Sequence, residues 1–422
     1  MGRSISPRLL FPLLAGVALI ACSSERHNSG SEQTPAATQT TPTPAPIAVP
    51  AAFQPLYDEL QTRLMAAQAE FAARPGQGES PSLVLELLVA NGNRGEELLR
   101  PEALETTRQF LDRFKELGAD GVAVQIVYPL LGQDYPRSDE YLNFYRTVAG
   151  EVRQRGLTLI IATGAPFSGT EFSPLHIDYS GKTPQSYLQE RLDQAAVIAR
   201  ELRPDYLCLS EEQSTERMLT GLDITTDDYM DFLRSAPTAI DPPSGVKLGA
   251  GSGSWEKPDL IERVIHETPL DFVDIHIYPL SSGFTDYLQV TADWAMAAGA
   301  AGKEAVIGEA WLYKTSVKEL QGGIGYQDVY GRDAYSFWQP LDVLFMQTVV
   351  ELGRAAGVRY LSFFWSRYLF GYANYDDLPP GTTGQALQQQ ATLASWIAFV
   401  GGKLSASGQE FKRLASASSG GG

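Results

Sequence analysis

Cysteine is almost missing from this chain: 422 residues contain two. Cys22 follows an apolar stretch near the N-terminus, and Cys208 lies within an apolar run, where a buried thiol is expected. No disulfide framework can be built from such a pair, so a large hydrophobic core must hold the domain together. Histidine is scarce as well. The four histidines are scattered, with no HxxxH or CxxC spacing, so no metal and no other cofactor is expected. Positive charge is in deficit, with 33 Lys and Arg against 50 Asp and Glu and a formal net charge of −17. That balance argues against nucleic acid and anionic lipid surfaces as partners and suits a neutral or cationic ligand. A GxGxxG after the first strand-like run is missing too, which weakens a dinucleotide-binding sheet. No internal repeat is apparent.

What is present begins with an export signal. Residues 1–21 have a short basic start (Arg3, Arg8) and an apolar centre from Leu9 to Ile20, too short for a comfortable membrane span. The stretch ends in Leu19-Ile20-Ala21-Cys22, which resembles the lipobox of bacterial lipoproteins. The resemblance implies a lipid on Cys22 and an extracytoplasmic protein anchored to a bacterial membrane. Residues 22–50 continue in Ser, Thr, Pro, Gln and Ala with hardly a large apolar side chain. Such a segment cannot bury enough surface to offset its ordering entropy and reads as a disordered spacer.

From residue 51 to about 404 the pattern is that of one domain. Phe53, Leu56, Tyr57, Leu60, Leu64 and Phe71 share a helical face. Eight strand-like runs follow, at 83–90, 121–128, 157–163, 206–211, 246–250, 272–278, 305–308 and 360–365. Helical patterns with recognisable ends separate them. Pro101 opens one that Gly118 closes, and residues 139–155 are closed by Gly156. Thr183-Pro184 reads as an N-cap with proline in the first turn, and a long segment over 333–356, interrupted near Pro340, is closed by Gly357. Eight strands alternating with helices predict an α/β fold, a single-domain (β/α)₈ TIM barrel, with an open doubly wound sheet as the competing arrangement. Residues 405–422, rich in Ser, Ala and Gly, read as a frayed, flexible tail. A monomer is expected.

The chemistry gathers at strand ends. The run Ala305-Val-Ile-Gly-Glu309-Ala-Trp311 places a carboxylate where a buried strand meets solvent. The fourth strand runs into Ser210-Glu211-Glu212-Gln213. In a barrel, strands four and seven face each other across the mouth, and two carboxylates flanking one bond are what glycoside hydrolysis requires. His276 and Tyr278 share one face of the sixth strand. Asn91 and Asn93 follow the first strand, where a turn and a ligand role are both open. Tyr128, Tyr368, Phe370 and Tyr372, with Trp255 more weakly, are candidates to line subsites for a chain of sugars. Nothing fixes a role for His176.

These residues resemble those of the clan A glycoside hydrolases, retaining (β/α)₈ enzymes, over nearly the whole domain from about residue 83 to 400. The context of the fourth strand is loosely similar to the endo-β-1,4-galactanases. The resemblance implies that Glu309 is the nucleophile and Glu212 the acid/base. It places His276 in the sugar subsite, has Tyr278 donate to the nucleophile and puts Trp365 beneath the sugar at the cleavage point. Trp311, Asn91 and Tyr128 join the expected substrate-binding set. A β-linked carbohydrate is the implied partner. One departure stands out: the clan carries Asn immediately before the acid/base, and this chain has Glu211 there if Glu212 is the acid, or Ser210 if Glu211 is; with Glu212 preferred, Glu211 becomes a salt-bridge partner or a replacement ligand for a hydroxyl. The arginine common near the clan's second strand is not found, and Gln125 and Tyr128 stand there instead. A glycan-binding lipoprotein that has lost catalysis on the same scaffold is the alternative function.

Overall fold

The computed structural model describes residues 48–76, 79–170, 172–278, 284–382 and 384–419. The export signal, Cys22 and most of the spacer lie outside the described residues. Eight strands are present: β1 (Ser82–Glu86), β2 (Gly121–Gln125), β3 (Thr158–Ala162), β4 (Tyr206–Cys208), β5 (Lys247–Gly253), β6 (Phe272–Ile277), β7 (Glu304–Ala310) and β8 (Val358–Phe363). They are parallel and close in sequence order, with β8 returning to β1 through the register Leu83↔Leu361. This is the expected TIM barrel.

The helices, in chain order, are α1 (Gln54–Ala73), α2 (Pro101–Glu116), α3 (Ser138–Gln154), α4 (Pro184–Leu202), α5 (Gln213–Thr220), α6 (Thr226–Ile240), α7 (Pro258–Glu267), α8 (Phe284–Ala300), α9 (Val317–Gln321), α10 (Tyr326–Arg332), α11 (Gln339–Ala356), α12 (Gly384–Val400) and α13 (Ala406–Ser419). Among the described residues no helix is long and apolar enough to cross a membrane. Thr183 caps α4 as its sequence predicts: its hydroxyl accepts from the Ser186 amide at 3.1 Å, and Ser186 returns a bond to the Thr183 amide. Pro340 does not interrupt a helix. It sits in the first turn of α11, where its missing N–H costs nothing, and Gly357 ends that helix at φ 72°.

The tail expectation fails for residues 406–419, which form α13. Phe411, Leu414 and Ala415 fall on one face and are buried, and Phe411 packs 6.2 Å from the Phe363 ring of β8. Three apolar residues at helical spacing outweigh the Ser-rich composition around them.

Alternation along the strands divides the barrel interior into two levels. Val84, Ile160, Tyr206, Cys208, Phe272, Val306 and Tyr360 fill the lower level. Tyr206 stands edge-on to Phe272 and Tyr360 at 5.3 and 5.1 Å. Complete burial of Phe272 stabilises the fold by about 1.5–3 kcal/mol. Room for these rings comes from β5. A Cβ on Gly249 would stand 2.3 Å from the Phe272 ring, and one on Gly251 would stand 1.7 Å from the Asp274 carbonyl oxygen. Above this level the inward positions turn polar: Glu86 on β1, Gln125 on β2, Asp274 and His276 on β6. The upper end of the barrel therefore carries the chemistry.

Candidate active site

On β6 the inward residues step from Phe272 through Asp274 to His276, with Tyr278 just beyond the strand. His276 is the hub. Its side chain is 1% exposed. Nδ1 lies 2.8 Å from Glu212 Oε1 and 3.5 Å from Glu309 Oε2, while Nε2 faces Glu211 at 3.7 Å and Asp274 at 3.9 Å. Burial alone would lower the pKa of this imidazole. Glu309, Glu212 and Asp274 outweigh burial and hold it well above the usual histidine range. An imidazolium thus stands among four carboxyl groups.

Those carboxyls are raised as well, by burial. Glu309, near the end of β7, is pushed up to about 7, chiefly by burial, against the pull of His276. The Tyr278 hydroxyl donates to its Oε2. Glu212 is the residue just before α5. Burial raises it, His276 lowers it, and Thr215 Oγ1 donates to its Oε2 at 2.6 Å. Glu211 is raised well above its ordinary value, first by burial. Gln125 Nε2 donates to its Oε2 at 3.4 Å. Adjacent residues of an extended strand point to opposite faces, yet both carboxyls reach the site. The reason is that β4 ends at Cys208, so Glu211 and Glu212 lie beyond the sheet. Arg191 of α4 steadies this segment: it is buried, pairs with Glu216 and donates to the Leu209 carbonyl.

The raised pKa of Glu309 makes stability depend on pH in a known direction. Its unfolded value is about 4.3. Between that value and about 7 the folded state binds the extra proton, so this group's contribution to stability is lost as pH rises through about 7. Urea midpoints should be lower at pH 8 than at pH 5, and the difference should shrink in Glu309→Gln. Equal pH dependence in the two proteins would contradict the burial argument.

The remaining sequence candidates divide. Asn91 is 1% exposed and belongs to a network beside the hub. Its amide donates to Gln125 Oε1 at 3.0 Å and to Glu86 Oε1 at 3.4 Å. Asn93 joins the same network and accepts from the Phe167 amide at 2.8 Å. Tyr128 does not line the cleft: its hydroxyl donates to Glu190 and its ring packs edge-on to Tyr187 at 5.1 Å. The two tryptophans expected as sugar contacts are not presented to the cleft either. Trp365 is 1% exposed, packed against Phe364 at 4.9 Å and covered by the Arg367 guanidinium at 4.3 Å. Trp311 is fully buried, stacked on Tyr368 at 5.6 Å, with Lys314 4.8 Å over its ring. Lys314 is itself locked between Asp342 at 2.5 Å and Asp333 at 3.3 Å. Indole rings one and two residues past a strand end are held by core packing, and Phe364 and Phe167 line the cleft instead. Trp255 tilts against Tyr278 at 5.6 Å, and His176 is exposed and outside the cleft lining.

Two site residues carried no signal strong enough to find them. Glu86 is 4% exposed, and burial followed by repulsion from Glu309 raises it well above its ordinary value. Asp274 accepts from the Gly308 amide at 2.8 Å. A carboxylate at an inward position of an apolar run was the available clue for both.

The cleft itself encloses about 50 Å³. Glu211, His276 and Glu309 bring one ligand atom each to within 4.8 Å of one another, a spacing that could also hold a divalent cation. With Nδ1 on Glu212, Nε2 is the nitrogen that would face such an ion, and binding would cost the imidazole one proton. What the arrangement can do directly is hold one carboxyl protonated and another ionised in a water-poor space.

No family model matches the chain, and no curated protein is significantly similar to it in sequence. Its fold does match solved structures. An exo-β-1,4-mannosidase from Opitutaceae bacterium strain TAV5 superposes with a TM-score of 0.52 at 14% identity, over 82% of this chain and 60% of that one. The chain thus spans less than two thirds of that mannosidase. A virulence factor, SghA, in complex with its substrate analogue salicin gives 0.48 at 12%, over 83% and 98%. A fungal β-1,4-galactanase gives 0.42 at 14%, over 74% and 99%. The structural neighbours are therefore (β/α)₈ glycoside hydrolases, and what this chain shares with them is the fold.

Proposed function

We propose that the protein is a glycoside hydrolase that cleaves a β-linked oligo- or polysaccharide by retaining double displacement. One observation carries the reading: a single imidazole nitrogen touches Glu212 at 2.8 Å and Glu309 at 3.5 Å. Two such contacts keep the oxygens short of the roughly 6.5–9.5 Å gap that admits a water in inverting enzymes. Glu309 attacks the anomeric carbon with its carboxylate while Glu212 gives its proton to the leaving oxygen. Water, losing a proton to Glu212, then displaces the sugar from Glu309. The Tyr278 hydroxyl and His276 favour the ionised form of Glu309, as a nucleophile needs.

Glu211 fits as a stand-in for the asparagine of similar enzymes. Burial raises its pKa, and in its protonated form a carboxylic acid has an O–H to donate and a carbonyl oxygen to accept, where the amide has two N–H donors and a carbonyl oxygen. Because the nucleophile must be ionised, kcat/KM should rise with pH through about 7.

A screen of the purified domain against aryl β-glycosides and polysaccharides tests the reading. Sugar release with retained anomeric configuration supports it. Binding to a glycan without release across the panel would replace it with the binding-protein alternative.

We also propose that Cys22 is lipidated and that residues 23–50 tether the barrel outside a bacterial membrane. The supporting observation is Leu19-Ile20-Ala21-Cys22 directly behind the apolar segment. Cys22→Ala should move the protein from the membrane to the soluble fraction. Unchanged membrane association would remove the anchor.

A further inference from the structure

A second cavity, of about 100 Å³, opens between the segment after β1 and the segments after β8. It shares no lining residue with the catalytic cleft. Its apolar wall is a stack of rings. Phe110 of α2 lies 4.3 Å from Phe399 of α12 at 17°, and Trp396 lies 5.5 Å from Phe399 at 13°. Three arginines, Arg94, Arg100 and Arg367, line the same space.

These charges are poorly matched. Glu97 is the one carboxylate in the lining, and it pairs with Arg94 at 3.0 Å. Among the described residues, no carboxylate lies within ion-pair distance of Arg100 or Arg367. Arg367 donates to neutral oxygens, Thr392 Oγ1 at 3.3 Å and the Tyr368 hydroxyl at 3.2 Å. The Nε atoms of Arg94 and Arg367 are buried without a hydrogen-bond partner. Burial depresses the Arg94 guanidinium, and repulsion from Arg100 adds to the effect. A chain of net charge −17 has many carboxylates to place, and it lines this cavity with one.

We propose that this cavity binds an amphipathic organic anion, with a carboxylate or phosphate head held by Arg94, Arg100 and Arg367 and a flat apolar body laid on Phe110, Trp396 and Phe399. Guanidinium forks match both heads, forming paired N–H···O bonds. The rings bury the body and favour an aromatic one. An inorganic ion would satisfy the charges alone, and a neutral aromatic the wall alone. The inference does not depend on the hydrolase reading.

Calorimetric titration of the folded protein tests it, with 2-naphthoate, 2-naphthyl phosphate, inorganic phosphate and the neutral 2-naphthalenemethanol as probes. One naphthyl anion per chain is expected to bind, with both control probes weaker by roughly tenfold or more, and preference between the two anions identifies the head group. Arg100→Gln, at an exposed position, should weaken the anion by about tenfold and leave the melting curve in place. Trp396→Ala should weaken it as well. Glu309→Gln should leave binding unchanged, because the catalytic cleft is a separate cavity. The proposal is overturned if neither anion binds, if the neutral probe or inorganic phosphate binds equally well, if Arg100→Gln has no effect, or if Glu309→Gln abolishes binding.

Discussion

Glu309→Gln is expected to lower kcat by a factor on the order of 10⁴–10⁶, the range seen when a nucleophile or its essential partner is removed, while leaving the barrel folded. The amide has the shape of the carboxyl, and its carbonyl oxygen can still accept the Tyr278 hydroxyl. What it lacks is the charge that must attack the anomeric carbon. The folded state loses a carboxylate whose ionisation is opposed by burial and by Glu212 and Asp274. Its melting temperature should therefore hold or rise at pH 8, even though His276 loses one of its counter-charges. A Glu309→Ala variant sharpens the test. The space left by the side chain would admit a small external anion such as azide, which attacks from the same side as the missing carboxylate. One displacement in place of two would give a product of inverted configuration. Wild-type rates in Glu309→Gln would end the assignment, and an unfolded Glu309→Gln would mean that the carboxylate is structural.

How this centre was read from sequence depends on the scale of the feature. The eight strands were legible because a barrel strand is buried on both faces and appears as a short apolar run between breakers. Their ends were less so. The fifth was expected to end at 250 and continues to Gly253, since Gly249, Gly251 and Gly253 look like breakers in sequence but are needed for the close approach of Phe272, Asp274 and Trp255. The fourth was expected to reach 211 and ends at Cys208. Glu309, Glu212, His276 and Tyr278 could be named because strand order sets which ends converge, and the structure brings them within contact of one another. The direction of individual rings could not be read. Trp311 and Trp365 follow strand ends as a sugar platform would, but Trp311 is stacked on Tyr368, far along the chain, and Trp365 is covered by its own neighbours Phe364 and Arg367 once the segment after β8 folds back. Glu86 was hidden for a similar reason: a single acid in an apolar run is informative only once its inward face is known.

The acid/base is the assignment that single substitutions can divide most cleanly, because the two candidates are neighbours with different surroundings. Glu212 bonds to His276 and Thr215, whereas Glu211 meets Gln125, and burial raises both. If Glu212 transfers the proton, Glu212→Gln should cut hydrolysis of a natural glycan by roughly 10²–10⁴-fold, the usual worth of a general acid. A nitrophenyl glycoside needs no such help, since its leaving group departs as a stable anion. Its first step should therefore survive, and the missing base should slow release of the sugar from Glu309. The measurable sign is a burst of nitrophenol, one equivalent per enzyme, followed by a slow steady rate. Glu211→Gln should behave differently. The amide keeps a donor and a carbonyl acceptor in the place of a protonated carboxyl, so rates on both substrates should stay within about tenfold of wild type. The opposite pattern, a burst in Glu211→Gln and near-normal turnover in Glu212→Gln, would move the proton transfer to Glu211 and leave Glu212 as the partner that fixes the charge and orientation of His276.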